Sequence, residues 1–89
     1  MDGHKQRQAL TAAERSIAHL VAGKPEEAER AAQRADELDQ IGSFSNLVLA
    51  VGAAAADVRD AGRVQAEHVE NLLVAVGSGP LAELVQQLR

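Results

Sequence analysis

The chain contains no cysteine, tryptophan or tyrosine, and its single aromatic ring is Phe44. The absence of thiols excludes disulfides, thiolate catalysis and cysteine-ligated zinc. No apolar run approaches the roughly 20 residues needed to span a bilayer. The longest, Leu47 to Ala56, is about half that length, is mostly Ala and Val, and is expected to be a buried helix. Met1 to Gln8 is polar and basic, with no apolar stretch behind it, so no secretory signal is expected and the anticipated location is the cytoplasm. Charge of one sign is also scarce. The 13 acidic and 9 basic side chains are intermixed and leave a formal charge of −4, which argues against nucleic acid as a partner and is in keeping with a soluble surface.

What the chain has in quantity is alanine. Apolar residues make up 46% of it, but about a fifth of all residues are Ala. With 89 residues there is room for one domain, 1–89, and one core. Burial contributes roughly 25 cal/mol per Å² of apolar area, so an Ala-rich core gains little per residue, and association with another surface would add what is missing.

Strong helix formers and apolar spacings of 3, 4 and 7 predict helices over about 5–22, 25–40, 44–60, 64–76 and 80–88. In the first, Leu10, Ala13, Ile17, Leu20 and Val21 form the expected stripe, ending at Gly23. Pro25 suits a first helical position, and Glu26 and Glu27 face the positive end of the second helix. The inward face of that helix is predicted to be Ala28, Ala31, Ala32, Ala35 and Leu38, small enough for close antiparallel packing on the first helix across a two-residue turn. Asp36, Glu37 and Asp39 sit unfavourably for the dipole, as a solvated helix end or a recognition feature.

Ile41-Gly42 breaks the pattern, and Ser43 or Ser45 is expected to cap the third helix. That helix carries Phe44, Leu47, Val48, Leu49, Val51 and Ala53 to Ala56 almost all the way round, which predicts enclosure by neighbours on most sides. Gly52 in its middle is either a close backbone crossing or a tolerated glycine. The fourth helix follows Gly62 with Val69, Leu72, Leu73 and Val76 on one face. After the Gly77-Ser78-Gly79 hinge, Pro80 opens a short helix striped with Leu81, Leu84, Val85 and Leu88, which either folds back or docks on another chain.

The segment from Gly23 to Asp39 resembles the turn and second helix of a tetratricopeptide repeat. Gly23, Ala28, Ala35, Leu38 and Asp39 fall where that pattern places them, and the likeness covers about residues 10–40. It departs where the first helix of the repeat has large residues: here stand Ala12, Arg15, Ser16 and His19, with Ala32 in place of an aromatic and Gln40 in place of the closing proline. Taken with the helical spacing, the resemblance gives the expectation of an all-α fold of two antiparallel hairpins, to which the Pro80 segment adds a short C-terminal amphipathic helix. It places hairpin packing on Gly23, Ala28, Ala31 and Ala35. It also implies an apolar groove on Leu10, Ala13, Ile17, Leu20 and Val21, to which the stripe Leu81, Leu84, Val85 and Leu88 is added as a docking arm. The Lys and Asn side chains that clamp a peptide carboxylate in some family members are missing.

No arrangement of residues carries catalysis. His4, His19 and His68 stand apart, and Glu67, His68 and Glu70 point to different sides of a helix, so no metal or cofactor is expected. There is no nucleophile elbow and no phosphate loop, and Gly77-Ser78-Gly79 lacks a preceding strand or a lysine. Glu26 and Glu27 are each spaced to pair with Arg30. A helix-turn-helix around Gln40 to Ser45 would present Leu47 to Ala56 to base edges with no polar side chain to read them. The reading is a non-catalytic helical interaction or scaffold module that binds a protein helix or a second copy of itself, as a homodimer or within a larger complex. The alternative is a sensor or enzyme accessory domain holding an apolar small molecule between its helices.

Overall fold

The first helix, α1 (Asp2–Val21), is stopped by hydrogen bonding as much as by sequence. The Gly23 amide donates to the Leu20 carbonyl at 3.1 Å and the Lys24 amide to that of His19 at 2.8 Å, the paired bonds of a Schellman end. That geometry needs a left-handed residue, and Gly23 sits at φ +75°. Pro25 then opens α2 (Pro25–Leu38), so the turn is Ala22 to Lys24, one residue longer than expected.

The computed structural model describes residues 2–39, 42 and 44–89, excepting the side chains of residues 2 and 3. It is all-α, with α3 (Ser45–Ala61), α4 (Ala66–Val76) and α5 (Pro80–Gln86) following the first pair. Each helix up to α4 packs on the next, α3 also touches α1, and α5 folds back onto α1 and α4, within an envelope of 41 × 23 × 18 Å. Leu81 and Val85 are accordingly buried.

The α1–α2 seam is built from small side chains. Ala28, Ala32 and Ala35 are fully buried on α2, while Ala31 and Leu38 are half-buried. On α1 the buried face is Ala9, Ala12, Ala13, Ser16, Ile17 and Leu20, rotated from the predicted stripe, and Leu10 and Val21 are 44% and 41% exposed. The close approach permitted by the α2 alanines leaves space for Ala9 and Ser16 where a leucine would collide. The buried Ser16 hydroxyl is satisfied by donating to the Ala13 carbonyl at 2.7 Å.

Helix ends differ from expectation for local reasons. α2 stops at Leu38 because Asp39 is extended, and its carboxylate accepts the Phe44 amide at 3.0 Å and the Gln6 side chain at 2.9 Å. That carboxylate holds the amide of Phe44, the N-cap residue of α3, and among the described residues no side chain caps the helix. Ser45 instead donates to the Gly42 carbonyl at 3.2 Å, and Ile41 and Ser43 lie outside the described residues. α4 begins at Ala66, two residues later than predicted, because Gln65 is held extended as its N-cap. Glu26 turns away from Arg30 toward Arg59 of α3, at 3.7 Å, and Arg59 also pairs with Glu29, joining α2 to α3. Glu27 keeps Arg30, at 3.9 Å. These ion pairs are exposed and add little.

Leu47, Ile17, Leu72, Val51, Val69 and Val85 are the largest fully buried apolar side chains. Leu47→Ala is expected to lower stability by about 2–5 kcal/mol, a large share of what a domain of this size has. Gly52→Ala is expected to do the opposite: a Cβ there meets nothing within 4 Å, and replacing a helical glycine gains about 1 kcal/mol. Guanidinium unfolding of both variants checks the pair. An unchanged or lowered midpoint for Gly52→Ala contradicts a tolerated glycine.

Candidate functional site

The apolar circumference of α3 is larger than its neighbours cover. Leu47, Ala50, Val51, Ala54 and Ala55 are buried, but Leu49 is 75% exposed and Ala56 is exposed as well. The expected enclosure of α3 on most sides is thus not met within the chain. A two-layer arrangement of short helices contacts α3 from α2, α4 and, less extensively, α1, and leaves one side open. On α4, Val74 lies at the same junction and is 83% exposed. The two residues flank a groove of about 260 Å³ lined by Ala50, Ala53 and Ala75, with Asn46 and Asn71. No charged side chain lines this groove. Leu49 was expected to be enclosed with the rest of α3, whereas Val74 lies off the face predicted for α4, so its exposure agrees with the helical spacing.

The residues expected to meet a partner are dispersed. Ala13, Ile17, Leu20, Leu81 and Val85 are buried within the chain's own core, and Leu84 and Leu88 are half-buried against it. Leu10 and Val21 alone of that set are exposed. Gly23, Ala28, Ala31 and Ala35 lie along the α1–α2 hairpin, with Gly23 exposed at its turn. The clefts described for the structure, of 140 to 740 Å³, lie at helix edges and open to solvent.

One polar pair was missed. Asp57 is buried near the end of α3, where its carboxylate accepts the Gln65 amide at 3.0 Å and pairs with the His68 imidazole Nδ1. A lone acid after Ala53 to Ala56, 11 residues before a histidine, was the available sign. Burial by itself raises the Asp57 carboxyl, but the His68 hydrogen bond, the Gln65 amide and the His68 charge together outweigh it, and the net shift is downward. The pair pins the α3–α4 loop and holds the first turn of α4. Among the described residues no cluster of three or more His, Asp or Glu is placed to hold a metal, and no buried side-chain nitrogen or oxygen lacks a partner.

The sign of the pH effect follows. The unfolded carboxylate binds a proton more readily than the folded one, so acid favours unfolding. Stability contributed by Asp57 is present above the unfolded value of about 3.9 and is lost as pH falls through the lower folded value. Asp57→Asn is expected to cost about 1.5–3 kcal/mol at neutral pH, the range for a hydrogen bond to a charged group. Urea unfolding of both proteins from neutral to acid pH should show the gap closing below about pH 4; a gap independent of pH contradicts the assignment.

Comparison with protein-family models, with curated proteins and with solved structures finds no match to the chain.

Proposed function

We propose that the chain is a non-catalytic helical interaction module, and that its docking face is the α3–α4 groove, occupied by the same groove of a second copy. The observation that carries this reading is the exposure of Leu49 and Val74, at 75% and 83%, beside a groove of small residues. Knobs and holes occur together on one face. A two-fold axis across it sets Leu49 and Val74 of each copy over Ala50, Ala53 and Ala75 of the other, the self-complementary arrangement an isologous dimer requires. The absence of charge matters equally, because a two-fold axis brings groups near it toward their own copies, and like charges there repel. Asn46 and Asn71 escape this, since an amide both donates and accepts. Two α3–α4 hairpins joined in this way make a four-helix layer, which covers the side of α3 that its own chain leaves open.

The non-catalytic part of the reading is supported by how the buried polar groups are used. Among the described residues these are Ser16, Asp39 and Asp57, and each is engaged in holding a helix or a loop.

Light scattering coupled to size exclusion tests the proposal. Wild-type protein is expected to run at twice its 9.4 kDa mass as concentration rises. Leu49→Asp with Val74→Asp is expected to stay at the single mass with unchanged helicity, because both side chains are already in solvent. A wild-type monomer up to about 1 mM, where binding is worth only about 4 kcal/mol, overturns it.

A further inference from the structure

On the opposite hairpin, between residues 4–15 of α1 and the last two turns of α2, lies a cleft of about 390 Å³. Arg7, Thr11 and Arg15 line it from α1 and Arg34 from α2, over the apolar Ala12 and Leu38. His4 closes one end, hydrogen-bonded to Gln8 at 3.1 Å. In a chain with 13 carboxylates and a formal charge of −4, no carboxylate lines this cleft. Arg7 and Arg15 make no ion pair among the described residues, and Arg34 has only Glu37, at 3.9 Å with both side chains mostly in solvent. Such a pair contributes little and exchanges readily. Arg59 and Arg89, by contrast, are each engaged by glutamates of another helix.

We infer that this cleft binds an acidic peptide segment carrying carboxylates about two helical turns apart. Three observations select that ligand. Charge complementarity requires an anion, since three guanidinium groups line one cleft, Arg7 and Arg15 with no ion-pair partner among the described residues and Arg34 with only the solvent-exposed Glu37. Spacing requires more than one anionic group: Arg7 and Arg15 are eight residues apart, a rise of about 12 Å along the helix, which one carboxylate or phosphate does not span. The half-apolar floor of Ala12 and Leu38 offers a place for an aliphatic side chain between the two charges. A guanidinium fork takes a carboxylate through two parallel hydrogen bonds, which gives each end of the segment a defined seat. Single-stranded nucleic acid fits less well, because its bases need a run of rings to stack on, and the one ring lining the cleft, His4, lies at its end and is hydrogen-bonded to Gln8. The groove around Leu49 and Val74 shares no residue with this cleft, so one face engages a second copy and the other an acidic segment.

Fluorescence anisotropy on the full chain tests the inference. The probe is a labelled helical peptide with glutamates eight residues apart and a leucine midway; its control carries glutamines at the two positions. The glutamate peptide is expected to bind about a hundredfold more tightly than the control, about tenfold for each of the two charge-assisted contacts. Arg7→Gln and Arg15→Gln should each remove about a tenfold part of that advantage. Arg63→Gln, the same change of charge at an exposed position outside the cleft, should leave binding unchanged. Arg7→Glu with Arg15→Glu should reverse the preference toward a peptide with lysines at those positions, which shows at once that the variant is folded and that the contact is charge-specific. Equal binding of the glutamate and glutamine peptides overturns the inference. So does an equal loss with Arg63→Gln, or tighter binding of a thymidine oligonucleotide than of the peptide. Leu49→Asp with Val74→Asp should bind the peptide as wild type does, which keeps this result separate from that of the dimer.

Discussion

Everything in this fold follows from how closely α1 and α2 approach. A chain with one aromatic ring and about a fifth alanine cannot fill a wide core, so its helices must come near enough for small side chains to touch. Ala28, Ala32 and Ala35 set that distance on α2, and Ala9, Ala13 and the self-satisfied Ser16 match it on α1. The larger Ile17 and Leu20 then point to where the other helices close over the seam, and the core cluster runs from there through Leu47 and Val51 to Leu72 and Val85. Close packing makes up through dispersion what the alanines lack in area.

Loops in so thin a structure need their own anchors, and two buried carboxylates provide them by the same device. Asp39 accepts the amide of Phe44, the N-cap residue of α3, and a side-chain hydrogen bond from Gln6. Asp57 accepts the amide of Gln65, the N-cap residue of α4, and pairs with His68. In each case a carboxylate reaches forward in sequence to satisfy the start of the next helix, where no side-chain cap is present. A buried charge is tolerated because its lone pairs are occupied on more than one side.

The two hairpins have different characters. α1–α2 is tightly packed and its outer cleft is basic; α3–α4 is more apolar than its surroundings require and its outer groove is neutral. α5 completes the core by returning to α1 and α4, tied at its end by Arg89 to Glu70. The stripe that looked available for docking is thereby used inside the chain, and the apolar surface left over is on α3 and α4. The proposed interaction role thus rests on a helix whose composition demands more neighbours than its own chain supplies.

The helical class, the five segments, the Gly23 and Pro25 signals and the alanine face of α2 were legible from the sequence, because each depends on residues a few positions apart. The buried face of α1 was legible only in part: periodicity marks Leu10 and Ile17 as equals, and the choice of Ala9 and Ser16 over Leu10 comes from the nearness of α2. Asp39 and Asp57 read as ordinary acids, since their partners Gln6 and His68 lie 33 and 11 residues away. The exposure of Leu49, its meeting with Val74 at one groove, and the placing of Arg7 and Arg15 beside Arg34 belonged wholly to tertiary structure. A hydrophobic pattern states which residues seek burial, but only the number and placement of packed neighbours decide which of them obtain it.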